Sequence, residues 1–560
     1  MSYIDKYIEW LKKADDDTLK ELKAIEGNEK EIEDRFYKPL DFGTAGLRGI
    51  MGAGTNRMNK YIICQATQAL AQIVKEKGMQ DKGAVIAYDC RIRSDEFAGY
   101  CASVLAANGI KVYIWDSLRP TPELSYAIRK LKAITGINVT ASHNPKIYNG
   151  YKVYWSEGSQ ILDDIAGPIS DRISRIDPFK DVLFMDFKEG VRKGMINILG
   201  EVMDEAFMKE VLDLSLTDDI DKSLKIVYTP LNGTGLIPIT KILKRRGFTD
   251  VTVVKEQEMP DGTFPTTPYP NPENIKVFDI PKRYAMQADA DIVIATDPDA
   301  DRIAIMAKND KGRYVPFTGN QTGALLADFM LSRRKEKGLD TDRDAVIQTI
   351  VSGSLVPKIA EYYGCTVFET LTGFKYICDY ANIWEKTKEY NYVFGYEESI
   401  GYCLETFTRD KDGVSAAMMI CEMAAYYKKR NLTLWQVLEM LYARMGYLSE
   451  KQISVEYPGI EGELIKQTVM TRWRKDPLVD INGFRSIKTK DYIGGLDGLP
   501  PQNALKYLFE DGTWYAIRPS GTEPKLKVYI NTMCKTRKKA EKLLKEFTDA
   551  LNDYLKVCAK

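Results

Sequence analysis

Gly83-Ala84-Val85-Ile86-Ala87-Tyr88-Asp89 is a short apolar run closed by an acid, and its pattern returns twice in the chain. Leu224-Lys225-Ile226-Val227-Tyr228-Thr229-Pro230 and Asp344-Ala345-Val346-Ile347-Gln348-Thr349-Ile350 repeat it. Each run is rich in Val and Ile and bounded by turn residues, which suits a strand buried on both faces. A helical stretch follows each run, from about Ser94, Ile237 and Leu355. Gly109, Gly247 and Gly364 then fit helix C-terminal caps. A second strand comes next: KVYIW (111–115), VTVV (251–254) and CTVFE (365–369). Strand–helix–strand units of this length imply largely parallel sheets covered by helices. Each copy also carries a polar motif at a strand end, so the three segments read as one α/β domain repeated.

The last 110 or so residues differ. QISVEYPG (452–459), GFRSIK (483–488), NALKYLFEDGTWYAIR (503–518) and LKVYINT (526–532) read as antiparallel strands, with a hairpin turn at Glu510-Asp511-Gly512. A Lys/Glu-rich helix from about residue 535 closes this α+β domain. The expected divisions are 1–200 (a helical N-terminal extension and domain 1), 201–320, 321–447 and 448–560.

At 560 residues the chain is too long for one core. Hydrophobic content of 44% and charged content of 28% are those of a soluble globular protein. Lys plus Arg equals Asp plus Glu, at 79 each, so no global basic field draws nucleic acid or an anionic membrane. An anionic substrate must be held by local cationic sites. No apolar run reaches the ~18 residues of a membrane span. The amphipathic start, MSYIDKYIEWLKKADD, lacks the build of a signal peptide. Nine scattered cysteines without a C-x-x-C pair read as reduced thiols in a cytoplasmic protein, and with one histidine they argue against zinc.

Asp297-Pro298-Asp299-Ala300-Asp301-Arg302 lies between the apolar strands ADIVIAT (290–296) and IAIMA (303–307). Three carboxylates at alternate positions of a tight loop can converge on one hard divalent cation. An EF-hand fails here, because Arg302 takes the glycine position and Lys308 that of the final glutamate. Three protein carboxylates leave open positions for water or a phosphate oxygen, which suits Mg2+. A competing reading is an aspartyl nucleophile at Asp297, since haloacid-dehalogenase-like phosphohydrolases present one as strand-Asp-x-Asp. Their usual Thr or Val two residues beyond the second aspartate is Asp301 in this chain.

The only histidine, His143, stands in Thr140-Ala141-Ser142-His143-Asn144-Pro145, where the strand ITGINVT (134–140) ends. Ligands bind at such strand ends in α/β sheets. Ser142 makes a poor hydrolase serine: it has no G-x-S-x-G elbow, and its neighbour His143 can hardly reach round to activate it. A serine carrying a phosphoryl group, with that phosphate completing a magnesium shell, suits it better. Lys152, just beyond the turn at 148–151, moves a proton if its surroundings lower its pKa.

Three further stretches carry polar chemistry. Arg518-Pro519-Ser520-Gly521-Thr522-Glu523-Pro524-Lys525 offers a guanidinium, hydroxyls and free backbone N–H groups, the parts of a phosphate cradle. Thr372-Gly373-Phe374-Lys375 and Gly395-Tyr396-Glu397-Glu398-Ser399 follow the later strands of the third repeat, and a carboxylate with a hydroxyl two residues on can grip vicinal sugar hydroxyls. Phe42-Gly43-Thr44-Ala45-Gly46-Leu47-Arg48-Gly49 ends in Arg48, a candidate for a phosphoryl oxygen, with Thr44 a candidate for substrate binding.

From about Asp41 onward, the combination T-A-S-H-N-P, D-x-D-x-D-R, E-x-S and R-P-S-G-T-E-P resembles the α-D-phosphohexomutase superfamily. The length and the form G-Y-E-E-S-I-G look most like its phosphoglucomutase and phosphopentomutase branch. The resemblance implies three related mixed- or parallel-sheet α/β domains and a C-terminal α+β domain around a central cleft. It implies phospho-Ser142, magnesium on Asp297, Asp299, Asp301 and that phosphate, and Arg48 on the transferring phosphoryl. Lys152 and His143 would assist proton transfer. Arg302, Thr372, Gly373, Glu397, Ser399 and Lys411 would face the sugar, with Lys375 beside them. Arg518, Ser520, Gly521 and Thr522 would hold the other phosphate. The implied activity interconverts α-D-glucose 1-phosphate and glucose 6-phosphate through glucose 1,6-bisphosphate. Pentose or mannose phosphates are alternatives, as are a phosphatase using Asp297 and a sugar-phosphate sensor. Some relatives carry a histidine just past E-x-S; Ile400-Gly401-Tyr402 has none, which leaves a second acid/base unassigned. Partners would be small sugar phosphates, with neither nucleic acid nor membrane, for a monomer or small homo-oligomer.

Overall fold

A computed structural model describes residues 2–43, 46–457, 459–521 and 525–559. Four sheets follow one another along the chain. The first runs, in spatial order, Gly46–Ile50, Tyr148–Trp155, Thr135–Val139, Ala84–Tyr88, Val112–Trp115, Ile196–Leu199. The second runs Tyr314–Pro316, Ile303–Lys308, Ile292–Thr296, Ile226–Thr229, Val251–Val253. The third, taken from its opposite edge, runs Gly401–Cys403, Asn391–Glu397, Asp344–Thr349, Thr366–Thr370. All three share a four-strand unit in one order, so the repeat read from the sequence exists as topology. The helices expected within it are Ser94–Ala107, Leu236–Arg246 and Leu355–Tyr363.

These sheets are mixed, where the strand–helix–strand pattern alone suggested largely parallel ones. The opening strand of each unit does pair in parallel with both neighbours. The motif-bearing strands, however, turn straight back: Thr135–Val139 pairs antiparallel with Tyr148–Trp155, Ile292–Thr296 with Ile303–Lys308, and Asn391–Glu397 with Gly401–Cys403. A parallel return needs a crossover of about a dozen residues or more, and these intervals are shorter. The fourth sheet is antiparallel throughout, in the order Tyr447–Glu456, Lys525–Cys534, Trp514–Pro519, Leu505–Phe509, Phe484–Asp491, Asp480–Ile481. The helices Arg537–Cys558 and Gly459–Lys475 pack on it through Phe547, Leu551, Val469 and Trp473. The second of these helices was not foreseen.

The second and third sheets share one apolar core. Its centre is the helix Gly413–Lys428, apolar nearly all round, as expected of a helix inside a large domain. Its one buried acid, Glu422, is matched by Arg246 at 2.7 Å and by the N–H groups of Leu216 and Thr217. Ile350, Val351 and Leu371 meet Tyr492, Trp514 and Tyr529 where the third sheet joins the fourth. Among the described residues no helix is long and apolar enough to cross a membrane.

Candidate active site

All four principal motifs occupy loops between antiparallel neighbours, and the loops meet at one cleft. Three carry a non-glycine residue in the left-handed region: Ser142 (φ 50°), Ala300 (φ 50°) and Ile400 (φ 57°). Such conformations cost about 1–3 kcal/mol each and persist only where surrounding contacts impose them.

The carboxylates of Asp297, Asp299 and Asp301 are buried and offer ligand atoms within 4.8 Å of one another. Thr121 of the first domain donates to Asp299 Oδ2 at 2.9 Å, and its N–H donates to the Asp299 carbonyl at 2.9 Å. The Arg302 N–H donates to Asp297 Oδ1 at 3.1 Å. Lys152 Nζ lies 2.8 Å from Asp299 and 3.5 Å from Asp301, and Lys411 Nζ lies 3.2 Å from Asp301. Oδ1 of Asp299 and Oδ1 of Asp301 are buried without a hydrogen-bond partner. An all-oxygen set with orphaned carboxylate atoms fits a hard divalent cation. Burial, then Asp299 and Asp301, push Asp297 well above the usual carboxylate range. Burial opposes ionisation of Asp299 too, but Lys152 and hydrogen bonds hold it low.

Ser142 Oγ donates to Asp297 Oδ2 at 2.7 Å and lies 3.2 Å from His143 Nδ1. His143 therefore does come within reach of Ser142, which its place as the next residue made look hard; Ser142 itself is in the left-handed region. The imidazole is still a poor base, because burial, Arg302 and Arg48 drive its pKa well below the ordinary value. Lys152 also departs from its reading. Burial works to lower its pKa, but Asp299 and Asp301 outweigh that and raise it. Arg48 Nη1 donates to Asn144 Oδ1 at 2.7 Å, which brings it to the Ser142 loop.

The cleft encloses about 800 Å³. Arg48, Ser142, His143, Lys152, Asp301 and Arg302 line one side; Thr372, Gly373, Lys375, Glu397, Ser399 and Lys411 line another; Arg518, Ser520 and Gly521 face them from the fourth domain. Asp297 and Asp299 lie beneath this surface. The Gly373 N–H donates to Glu397 Oε1 at 2.8 Å, and Ser399 Oγ donates to Glu397 Oε2 at 3.5 Å, so the Glu397 carboxylate is already oriented. Arg302 Nη1 reaches Glu273 at 3.4 Å. Lys375 Nζ turns to the Ile161 carbonyl and Asp163, each at 3.4 Å. Lys411 belongs to a segment docked on the first domain, where Asp410 accepts from Tyr154 (2.7 Å) and Gln160 (2.8 Å). Arg518 Nη2 donates to Tyr529 at 3.3 Å, while its Nε is buried without a hydrogen-bond partner among the described residues. Thr44 and Thr522 lie outside the described residues.

Sequence reasoning missed Asn271, Glu273 and Asn274, which line the cleft from a loop of the second domain, and Lys527 and Tyr529, which follow Lys525 on the last strand. For the last two a signal existed: alternate residues of a strand share a face.

Profiles described as phosphoglucomutase/phosphomannomutase alpha/beta/alpha domains I, II and III match residues 39–180, 205–312 and 318–445, and the profile of that family's C-terminal domain matches 464–550. A phosphoglucomutase of Staphylococcus epidermidis is 34% identical over 536 residues, 94% of this chain and 96% of that protein. The open form of parafusin, a phosphoglucomutase from Paramecium, superposes with a TM-score of 0.71 at 18% identity, covering 93% of this chain and 95% of that one. The N-acetylphosphoglucosamine mutase of Aspergillus fumigatus, solved with GlcNAc-6P and magnesium, gives a TM-score of 0.52 at 13% identity, over 92% of this chain and 96% of that one.

Proposed function

Because the chain belongs to the phosphoglucomutase/phosphomannomutase family, we propose that it is an isomerase interconverting α-D-glucose 1-phosphate and glucose 6-phosphate. Phospho-Ser142 donates its phosphoryl group to the free sugar hydroxyl: the P–O bond to Ser142 breaks, a P–O bond to the sugar forms, and the hydroxyl proton ends on the Ser142 oxygen. The product, glucose 1,6-bisphosphate, reorients within the cleft. Ser142 Oγ then takes the other phosphoryl group.

The observation that carries this reading is the 2.7 Å contact between Ser142 Oγ and Asp297, at one end of a cleft whose other wall bears Arg518 and Ser520. One end handles the transferring phosphoryl, and the other holds whichever phosphate is idle. Arg518, Ser520 and Gly521 can accept either, because a guanidinium and N–H groups read phosphate and not sugar carbon. Glu397 and Ser399 bind hydroxyls in both orientations. Mg2+ on Asp297, Asp299, Asp301 and the seryl phosphate would neutralise charge at the transferring group. Arg48 adds a guanidinium there. Lys152 stabilises negative charge near Ser142 through its cationic head. His143 is a neutral neighbour that orients Ser142. The partners are small sugar phosphates, and the enzyme acts in the cytoplasm.

A phosphatase using Asp297 is disfavoured, since that carboxylate is fully buried and engaged by Ser142. Phosphopeptide mapping after incubation with glucose 1,6-bisphosphate and magnesium decides between them. Phosphate should appear on Ser142, and Ser142→Ala should abolish isomerisation. Full turnover by Ser142→Ala, or an acyl-phosphate on Asp297, would sink the mutase mechanism. Comparing kcat/KM for glucose 1-, mannose 1- and ribose 1-phosphate tests the sugar, with glucose expected to lead.

A further inference from the structure

Beneath the Ser142 loop lies a guanidinium with no part in the transfer as described. Arg91 follows the strand Ala84–Tyr88, and its side chain is fully buried. Its Nη1 donates to the carbonyls of Pro145 (2.9 Å) and Tyr148 (3.0 Å). Its Nη2 donates to the carbonyls of Ser142 and Asn144, both at 2.5 Å. Its Nε lies 3.3 Å from Asp89 Oδ2. Asp89 also accepts from Thr140 Oγ1 at 2.6 Å and Ser94 Oγ at 2.8 Å. Thr140 Oγ1 in turn accepts from the Ser142 N–H at 2.8 Å. The main chain of Ser142 is therefore held on both sides, its N–H through Thr140 to Asp89 and its C=O by Arg91. That grip accounts for a serine resting in the left-handed region.

The network continues to the phosphoryl group's other neighbour. Asn144, whose carbonyl Arg91 grips, receives Arg48 on its side-chain oxygen at 2.7 Å. One guanidinium thus fixes both the carrier oxygen and the arginine beside it. The second domain closes over it: the ring of Phe264 lies 5.1 Å from Arg91 Cζ. Gly262 approaches so closely that a Cβ there would meet Cys90 O and Ile92 N at 2.6 Å.

We infer that Arg91 is the positioning residue of phosphoryl transfer, holding Ser142 and, through Asn144, Arg48 in register, with Phe264 bracing it from the second domain. The inference rests on Ser142 being the phosphoryl carrier. Arg91 does not line the cleft. Lysine cannot take its place, because an ammonium is a point donor, whereas the planar fork donates to four carbonyls at once through its two terminal nitrogens.

The test compares wild type, Arg91→Lys and Phe264→Leu. Each is incubated with glucose 1,6-bisphosphate and magnesium, the phosphate on Ser142 is counted by intact mass, and turnover is expressed per phosphorylated enzyme. Circular dichroism gives the folded fraction. Arg91→Lys should lose about 10²-fold in kcat with KM nearly unchanged, the signature of a misplaced reacting atom. Phe264→Leu should lose kcat in the same sense but less. A folded Arg91→Lys with wild-type kcat, or one impaired in KM alone, overturns the inference. So does a loss that vanishes on correction for folded fraction. Should Arg91→Lys fail to fold, a wild-type kcat for Phe264→Leu overturns it and a lowered kcat supports it. Wild-type enzyme without phosphate on Ser142 would instead sink the carrier assignment, and the mass measurement reports that separately.

Discussion

Glu398 sits beside Glu397 on the cleft wall, with Thr349 Oγ1 donating to it at 3.1 Å. Burial, then Glu397, push its pKa from 4.5 up to about 7, against the pull of Arg518. A folded-state value above the unfolded one means stabilisation that is complete below the unfolded pKa and lost as pH rises through about 7. Wild-type stability should therefore fall by up to about 3 kcal/mol between roughly pH 5 and 8. Glu398→Gln should flatten that slope, as thermal unfolding at stepped pH will show. A second expectation concerns Thr121, which donates to Asp299 across a domain boundary. Partners that orient metal ligands are worth about 10–100-fold in affinity. Thr121→Val should weaken Mn2+ binding to that extent, measured by calorimetry, while a variant that binds Mn2+ as wild type does would mean that Thr121 only packs.

At the scale of elements, the loops matter more than the strands that hold them. The helix Gly413–Lys428 starts against the aspartate loop, with the Gly413 N–H donating to the Ala300 carbonyl at 3.1 Å. A Cβ at Gly413 would meet that carbonyl at 2.6 Å. Gly413→Ala should displace the loop and lower divalent-cation affinity by about tenfold or more, with the helix content by circular dichroism unchanged. Much of this level was legible in the sequence. Short Val/Ile runs marked the buried strands, and Gly247 and Gly364 do close their helices at φ 102° and 74°. The return of Thr135–Val139 into Tyr148–Trp155 was not read, although the brevity of the interval implies it. Arg91 was illegible for a different reason: its partners are main-chain carbonyls, which every residue has, so nothing in residue identity announces them. Lys527 and Tyr529 were legible by alternation from Lys525, within a stretch whose pattern announces only an antiparallel strand.

At the scale of the whole molecule, polar contacts flank the apolar seat of the fourth domain on the third. Lys506, whose side chain is 4% exposed, meets Glu369 at 3.0 Å, and Trp514 Nε1 donates to Ser354 at 2.9 Å. Glu450 accepts from Thr318 and Asn320 at the start of the helix Gly319–Glu336. Gly446, at φ 108°, leads into the domain. Glu369→Gln weakens the partner of a buried ammonium and should cost about 1–3 kcal/mol. It should also enlarge the radius of gyration in small-angle scattering, with phosphate on Ser142 unchanged; an unaltered scattering profile would show that the seat does not depend on this pair. The chain's 560 residues include one histidine, and it lies against Ser142 Oγ. Isotopic labelling of that amino acid alone would therefore yield a single imidazole signal needing no assignment, a built-in spectroscopic beacon for the state of one oxygen atom in a 63.6 kDa molecule.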